Sequence, residues 1–408
     1  MQALSNASRS RLTRVLKPQI LLLNSDYRFL STSTTSSSSS SSSSLLQFSI
    51  SPITNHQCQY GVAFTGLIQG NYVQISQHPM HSMMQTAPFS TASVSTEVSP
   101  TEAVKVLYDK ILDSVNVKRT MSPNAWLWSM IENCKNHEDI KLLFDVLLNL
   151  RRFRLSNLRI HDNFNCALCL EVTKACARVG ALDFGKKALW KHNVYGLTPS
   201  VGSANQLLLY AKTHKDANLM VEVMDLLKGN KLPLQPGTAD IVFSICYDTD
   251  NWALISKYSK RFLKAGVKLR QTAFDTWMEF AAKIGDTESL WKIEKLRSES
   301  MKQHTLASAF ACAKGCLLEH KPGDAAVVIQ VLTQTLSDKK KPSIMVELQK
   351  LVDEWPLDVM KHQKEEKRKA LAAILISGIP AMVTDLSSMG LEVTINLKDL
   401  TSKEGILC

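Results

Sequence analysis

Between residues 166 and 340, apolar and small residues return at helical spacing. Leu168, Val172, Ala175 and Cys176 stand at i, i+4, i+7 and i+8, the stripe of an amphipathic helix. Gly180 ends that pattern. Leu182, Gly185, Leu189 and His192 continue it on a second helix, and Gly196 and Pro199 then break the chain. The pattern starts over at a fixed interval. Cys176, Ala211, Cys246, Ala281 and Cys316 are each 35 residues apart, and Val172, Leu207, Val242, Trp277 and Cys312 repeat the interval one turn earlier. Leu168, Ser203, Thr238, Ala273 and Ser308 do so one turn before that. Five blocks follow without insertion: 166–200, 201–235, 236–270, 271–305 and 306–340.

Each block is predicted to form two helices joined by a short turn. A helix pair of that size cannot cover its own apolar face, so neighbouring blocks must stack. The predicted fold is all-α, an α-solenoid of stacked helix-turn-helix repeats. A degenerate unit is expected at about 124–158, within an N-terminal helical segment 97–165, with 159–165 as an insertion. After the blocks, 341–408 is expected to be a helical cap and tail. Its first helix covers Ile344 to Val352 and closes at Trp355-Pro356. The apolar run Ala370 to Val383 is read as broken by Gly378 and Pro380, too short for the ~20 residues of a membrane span. No membrane insertion is expected. Leu391 to Leu397 alternates like a strand, which would fold back on the last repeat or join a partner's sheet.

The first 96 residues carry one acidic residue, Asp26, against Arg9, Arg11, Arg14, Lys17 and Arg28, and they include nine consecutive serines, Ser36 to Ser44. Arg-rich, Ser-rich and acid-poor composition is that of an organelle transit peptide. The Arg28-Phe29-Leu30-Ser31 context favours the mitochondrial matrix over the chloroplast. His78, Met80, His81, Met83 and Met84 form a copper-like cluster that an unfolded presequence also produces by accident. The nine cysteines are an odd number without framework spacing, which fits a reducing compartment. The formal net charge is +11. Segment 166–340 holds 24 Lys and Arg against 17 Asp and Glu, whereas 97–165 and 341–408 are close to neutral. Positive charge collected in the repeats is what contact with phosphates requires, and a merely solvated face is the alternative.

Cys166 to Ser200 resembles a plain 35-residue pentatricopeptide repeat, through Ala-Cys-Ala-Arg-Val-Gly-Ala-Leu-Asp (Ala175 to Asp183) and the ending Gly196-Leu-Thr-Pro-Ser200. Val201 to Gln235, with Asn205 and Leu207-Leu208, and the ending Ala265-Gly-Val-Lys268 are similar. The tetratricopeptide signature is missing. The resemblance implies single-stranded RNA held one base per repeat, read by the fifth and last residues of each block. Those pairs are Leu170 with Ser200, Asn205 with Gln235, Asp240 with Arg270, Asp275 with Thr305, and Phe310 with Lys340. Only Asn205 matches the usual pattern, and Leu170 and Phe310 offer no hydrogen-bonding edge. Arg151, Arg152 and Arg154, with Phe153 and Arg159, join cation and aromatic in one segment, either an RNA clamp in a loop or the end of a helix.

Catalytic signatures are missing. There is no His-x-Glu with Pro-Cys-x-x-Cys, as a zinc deaminase needs, no phosphate-binding G-x-x-x-x-G-K-[ST] loop and no G-x-S-x-G elbow. Cys166-Ala-Leu-Cys169 lies at the start of a repeat helix, where packing competes with zinc binding. The expectation is a non-enzyme without cofactor or metal. Organelle address, few repeats and an eroded code together point to a component of the mitochondrial ribosome, held by ribosomal RNA and ribosomal proteins. A transcript-specific stability, processing or translation factor and a protein-binding scaffold are the alternatives.

Overall fold

The computed structural model describes residues 99–156, 162–337, 341–388, 390, 391 and 393–395. Residues 1–98, which hold the expected transit peptide and the copper-like cluster, lie outside the described residues, as do Arg159 and Lys340. Among those described there are sixteen α-helices. They are α1 (Glu102–Leu112), α2 (Asn124–Asn133), α3 (His137–Ser156), α4 (Asp162–Val179), α5 (Leu182–Ala188), α6 (Val201–Thr213), α7 (Ala217–Gly229) and α8 (Pro236–Asp248). There follow α9 (Trp252–Lys264), α10 (Gln271–Ile284), α11 (Thr287–Ser300), α12 (Leu306–Leu318), α13 (Pro322–Thr335), α14 (Lys341–Asp353), α15 (Trp355–Lys361) and α16 (Glu365–Ser387). The protein is all-α, and its helices pack on sequential neighbours as in a helical repeat. The first helices α4, α6, α8, α10 and α12 lie side by side in a row, and each packs against the helix that follows it.

A recurring turn makes the pairs. The first helix ends on a left-handed residue, at Gly180, Lys215, Asp250, Gly285 and His320. The next residue's N–H then reaches back to the small residue of the stripe: Ala181 to Cys176 O, Asp216 to Ala211 O, Asn251 to Cys246 O, Asp286 to Ala281 O and Lys321 to Cys316 O, at 2.8–3.0 Å. This is the 6→1 bond of a Schellman turn. In three of these turns the same residue caps the next helix, with Asp216, Asn251 and Asp286 accepting from the N–H of Leu219, Leu254 and Ser289. Cys176, Ala211, Cys246, Ala281 and Cys316 are all buried. Short side chains there let the pair close, and a Cβ on Gly185 would stand 3.4 Å from the Cys176 Cβ of its paired helix.

Four local expectations are corrected. Residues 162–165 do not belong to an insertion: they start α4, whose buried Asn165 accepts the Thr198 N–H through its backbone carbonyl. The second helix of the first block stops at Ala188, because the chain turns at 190–195 around the Asn193 amide, leaving His192 exposed. The first tail helix ends at Asp353, as expected, and Trp355-Pro356 then opens another, with Pro in the first turn where no N–H is needed. The helix α16 runs unbroken through Gly378 and Pro380, and by length and composition it could cross a membrane. An interior proline costs about 3 kcal/mol. Burial of Leu375, Ile379, Met382 and Leu386, on a helix that packs along α12 and α13, offsets that cost. Among the described residues of the tail, Leu391 and 393–395 form no strand. Instead the Gln349 amide pairs with the Thr394 backbone, donating to its carbonyl at 2.8 Å and accepting its N–H at 3.3 Å.

At the other end, the inaccessible carboxylate of Asp139 ties α1 to the α2–α3 turn. It accepts from Thr101 N and Oγ1 at 2.7 Å and from the N–H of Lys135 and Asn136 at 2.9 and 3.2 Å. Burial alone would raise its pKa, but these donors outweigh burial and hold it below the usual carboxylate value. Stability from this group is therefore full above the unfolded value of about 3.9 and is lost as pH falls through the lower folded value. Asp139→Asn should lower stability at pH 7 by about 1–3 kcal/mol and shrink the difference from wild type in acid, as read by urea unfolding at several pH values. Conversely, Lys215→Gly and His320→Gly remove a left-handed strain and should each stabilise by about 1 kcal/mol in the same assay.

Candidate nucleic-acid interface

The fifth and last residues of successive blocks meet at the seam between first helices, because the last residue is the N-cap of the next one. Ser200 caps α6 in a capping box with Ser203, at 3.1 and 2.8 Å, and Thr305 caps α12 in the same way with Ser308. Gln235 and Arg270 are N-cap residues without a side-chain cap bond, and both are exposed. Two pairs are brought together. Arg270 Nη1 lies 3.3 Å from Asp240, which also accepts from Thr272 Oγ1 at 2.7 Å. Thr305 Oγ1 donates to Asp275 at 2.7 Å. Burial raises the Asp275 pKa, against the lowering effect of that hydroxyl and of Arg297.

The other pairs do not form as expected. Asn205 accepts from Thr238 Oγ1 at 3.0 Å, so its partner is on the facing helix and is not Gln235. Leu170 is half-buried beside Gly202. Phe310 is only 3% exposed. It is therefore a packing residue in this structure, not a displayed one, and Lys340 lies outside the described residues.

Arg151, Arg152 and Arg154 occupy the last turns of α3, so the helix-end reading replaces the loop. Arg151 and Arg152 are exposed, and Arg152 lies over the Phe153 ring at 4.8 Å. Arg154 is corrected: its guanidinium is buried, donating to the Leu147 carbonyl at 3.0 Å and to the Tyr195 carbonyl. Burial lowers its pKa to about 10. It clamps the 190–197 turn onto α3 and is not offered to a ligand.

Cys166-x-x-Cys169 places Cys169 in the core against the Ala188 carbonyl, with burial raising its thiol to about 12. Glu294, His304 and Cys312 bring three possible metal ligands within 4.8 Å of one another. The Arg297 guanidinium shares that space, forked onto Glu294 at 2.7 and 2.8 Å and 3.0 Å from His304 Nε2. A buried cation there opposes a second one, so the cluster reads as an ion-pair core. Arg297 also donates to the Gln303 carbonyl at 2.9 Å, fastening the loop that leads into α12.

A cavity of about 420 Å³ was not anticipated from the sequence. Its walls come from Tyr247, Glu279, Lys283, Phe310 and Lys314 on the first helices and from Glu347, Glu354, Trp355 and Asp358 on α14 and at the α14–α15 junction. Burial lowers the Lys314 pKa, while Glu279, Glu347 and Asp358 pull it back up. One signal was available: Lys314 is the lone charged residue in the apolar helix Leu306–Leu318. On another face Trp190, 52% exposed, stands in a shallow depression with Lys187, Lys191 and His192. Compared with protein-family models and with curated proteins, the chain matches none.

Removing one partner of a buried ion pair strands the other. Arg297→Met should therefore cost about 3–5 kcal/mol in chemical denaturation, whereas the double variant with Glu294→Leu should recover much of the loss.

Proposed function

We propose that the protein is a pentatricopeptide-type RNA-binding protein of the mitochondrion, held in the mitochondrial ribosome by contacts to ribosomal RNA through shape and charge. The repeat reading is supported by register. First helices begin at Val201, Pro236, Gln271 and Leu306, second helices at Leu182, Ala217, Trp252, Thr287 and Pro322, each 35 residues after the last. The left-handed turn residues from Gly180 to His320 keep the same interval. The observation that carries the choice among RNA-binding readings is the state of the base-reading positions. Asp240 and Asp275 are bonded to neighbouring helices, Asn205 to Thr238 and Phe310 is buried, while positive charge is concentrated in 166–340. Recognition of a fixed RNA shape needs the charge and not a free set of base-edge groups.

The test is sedimentation of a mitochondrial lysate before and after ribonuclease treatment and magnesium removal. Co-migration with one ribosomal subunit through a high-salt wash is the expected result. Slow sedimentation with one transcript enriched would establish the transcript-specific factor, and free protein without RNA the scaffold. In the purified protein, Arg151→Glu with Arg152→Glu should weaken RNA binding and reduce the slope of log affinity against log salt by roughly one to two. An unaltered slope would take the end of α3 out of the interface.

A further inference from the structure

The row of first helices does not stay open to its end. After α13 the chain does not extend the row with α14. It is α16 that packs along both α12 and α13, while α14 lies on α12 and α15 reaches α10. The segment is fastened at its far edge. Trp355 Nε1 donates to the Ala282 carbonyl at 3.0 Å and Gln363 Nε2 to the Ile284 carbonyl at 2.6 Å. His362 Nε2 lies 3.4 Å from Asp250. The edge is fitted to this contact, since a Cβ on Gly285 would stand 2.7 Å from Gln363 Nε2 and 3.1 Å from Val359 Cγ2.

Beneath these fastenings the contact is incomplete: an open pocket of about 420 Å³ remains between α14, α15 and the row. Its walls are polar and of mixed charge. The segment brings Glu347, Glu354, Asp358 and Lys350 to the row's Glu279, Lys283 and Lys314, with Glu347 2.8 Å from Lys350 and Asp358 3.1 Å from Lys361. Lys283 is held by Asp250 at 3.0 Å, whereas Lys314 has only the longer-range pull of surrounding carboxylates. Phe310, at a base-reading position, is buried in the same place. The segment's three carboxylates outnumber its one lysine in this pocket and face the row's two lysines, a negative excess on the face assigned to RNA where phosphates would otherwise lie.

We propose that α14 and α15 form a built-in cover over α10 and α12, with carboxylates in the place of RNA phosphates, so that the closed protein offers RNA only α4, α6 and α8. This rests on the RNA-binding reading. Opening the cover exposes Phe310, Lys283 and Lys314 and lengthens the bound strand.

The experiment uses the full chain after its transit segment and a single-stranded uridine oligomer of about 20 nucleotides with scattered 4-thiouridine. Crosslinked peptides are mapped in the wild type and in His362→Ala/Gln363→Ala, and hydrogen exchange at 277–284 reports whether the cover has opened. Wild-type crosslinks are expected within α4, α6 and α8. The variant should gain crosslinks in α10 and α12 and bind roughly tenfold tighter, as expected when a competent state stops being a minor one. Three results would overturn the proposal: wild-type crosslinks already in α10 or α12 with 277–284 protected; an opened variant with unchanged affinity and map; or a variant as protected as the wild type, meaning that these bonds do not hold a cover. Failure of wild type and opened variant alike to bind the oligomer at low salt would remove the RNA-binding reading itself, an outcome distinct from the first three.

Discussion

The structure depends on one backbone hydrogen bond made five times, from the first residue after a left-handed turn to the carbonyl of a small residue in the preceding helix. The bond folds the second helix of a pair back on the first. Because its acceptor belongs to the stripe Cys176, Ala211, Cys246, Ala281 and Cys316, it also sets where the two helices touch. A large side chain at that carbonyl would push the pair apart and leave both apolar faces wet. With the pair closed, each first helix still has an uncovered side, and the next first helix buries it. The row α4, α6, α8, α10 and α12 is the result.

Much of this was legible in the sequence because a small residue at fixed spacing is a signal independent of hydrophobicity. The turns themselves were less legible. Glycine marks the left-handed residue only at 180 and 285, while Lys215, Asp250 and His320 take that conformation under the demand of the closing bond. Pro380 is not legible from local pattern: proline reads as a stop, yet it is tolerated in a first turn, as at Pro356, and at Pro380 inside a helix whose other face is buried. Residues 162–165 and His192 differ from the pattern because helix ends depend on neighbouring chain.

At the candidate interface, the sequence pairs positions that the structure partly brings together, but it does not show which of those groups are free. The fifth and last block positions do meet between helices, as at Asp240–Arg270 and Asp275–Thr305. Position alone could not show that these groups bind each other. The same holds for charge. Arg154, Arg297 and Lys314 add to the positive total of the chain, yet two of them serve carbonyls and a carboxylate in the interior and the third lies inside a cavity. A census of charges overstates the field outside the protein by whatever the core has taken in. Arg151 and Arg152 remain as exposed charges at the rim, whereas Arg270 is already held by Asp240.

The Trp355 and Gln363 bonds also bear on the order of folding. Nearly every other helix contact joins chain neighbours, so the array can nucleate at any pair and grow in either direction. The bonds to the Ala282 and Ile284 carbonyls, by contrast, span 73 and 79 residues and need α10 to α13 to be in place first. Closing that loop comes last during folding. A chain pulled from its C-terminus would give up α16 and then α15 before the pairs behind them, and the repeats would yield one at a time thereafter.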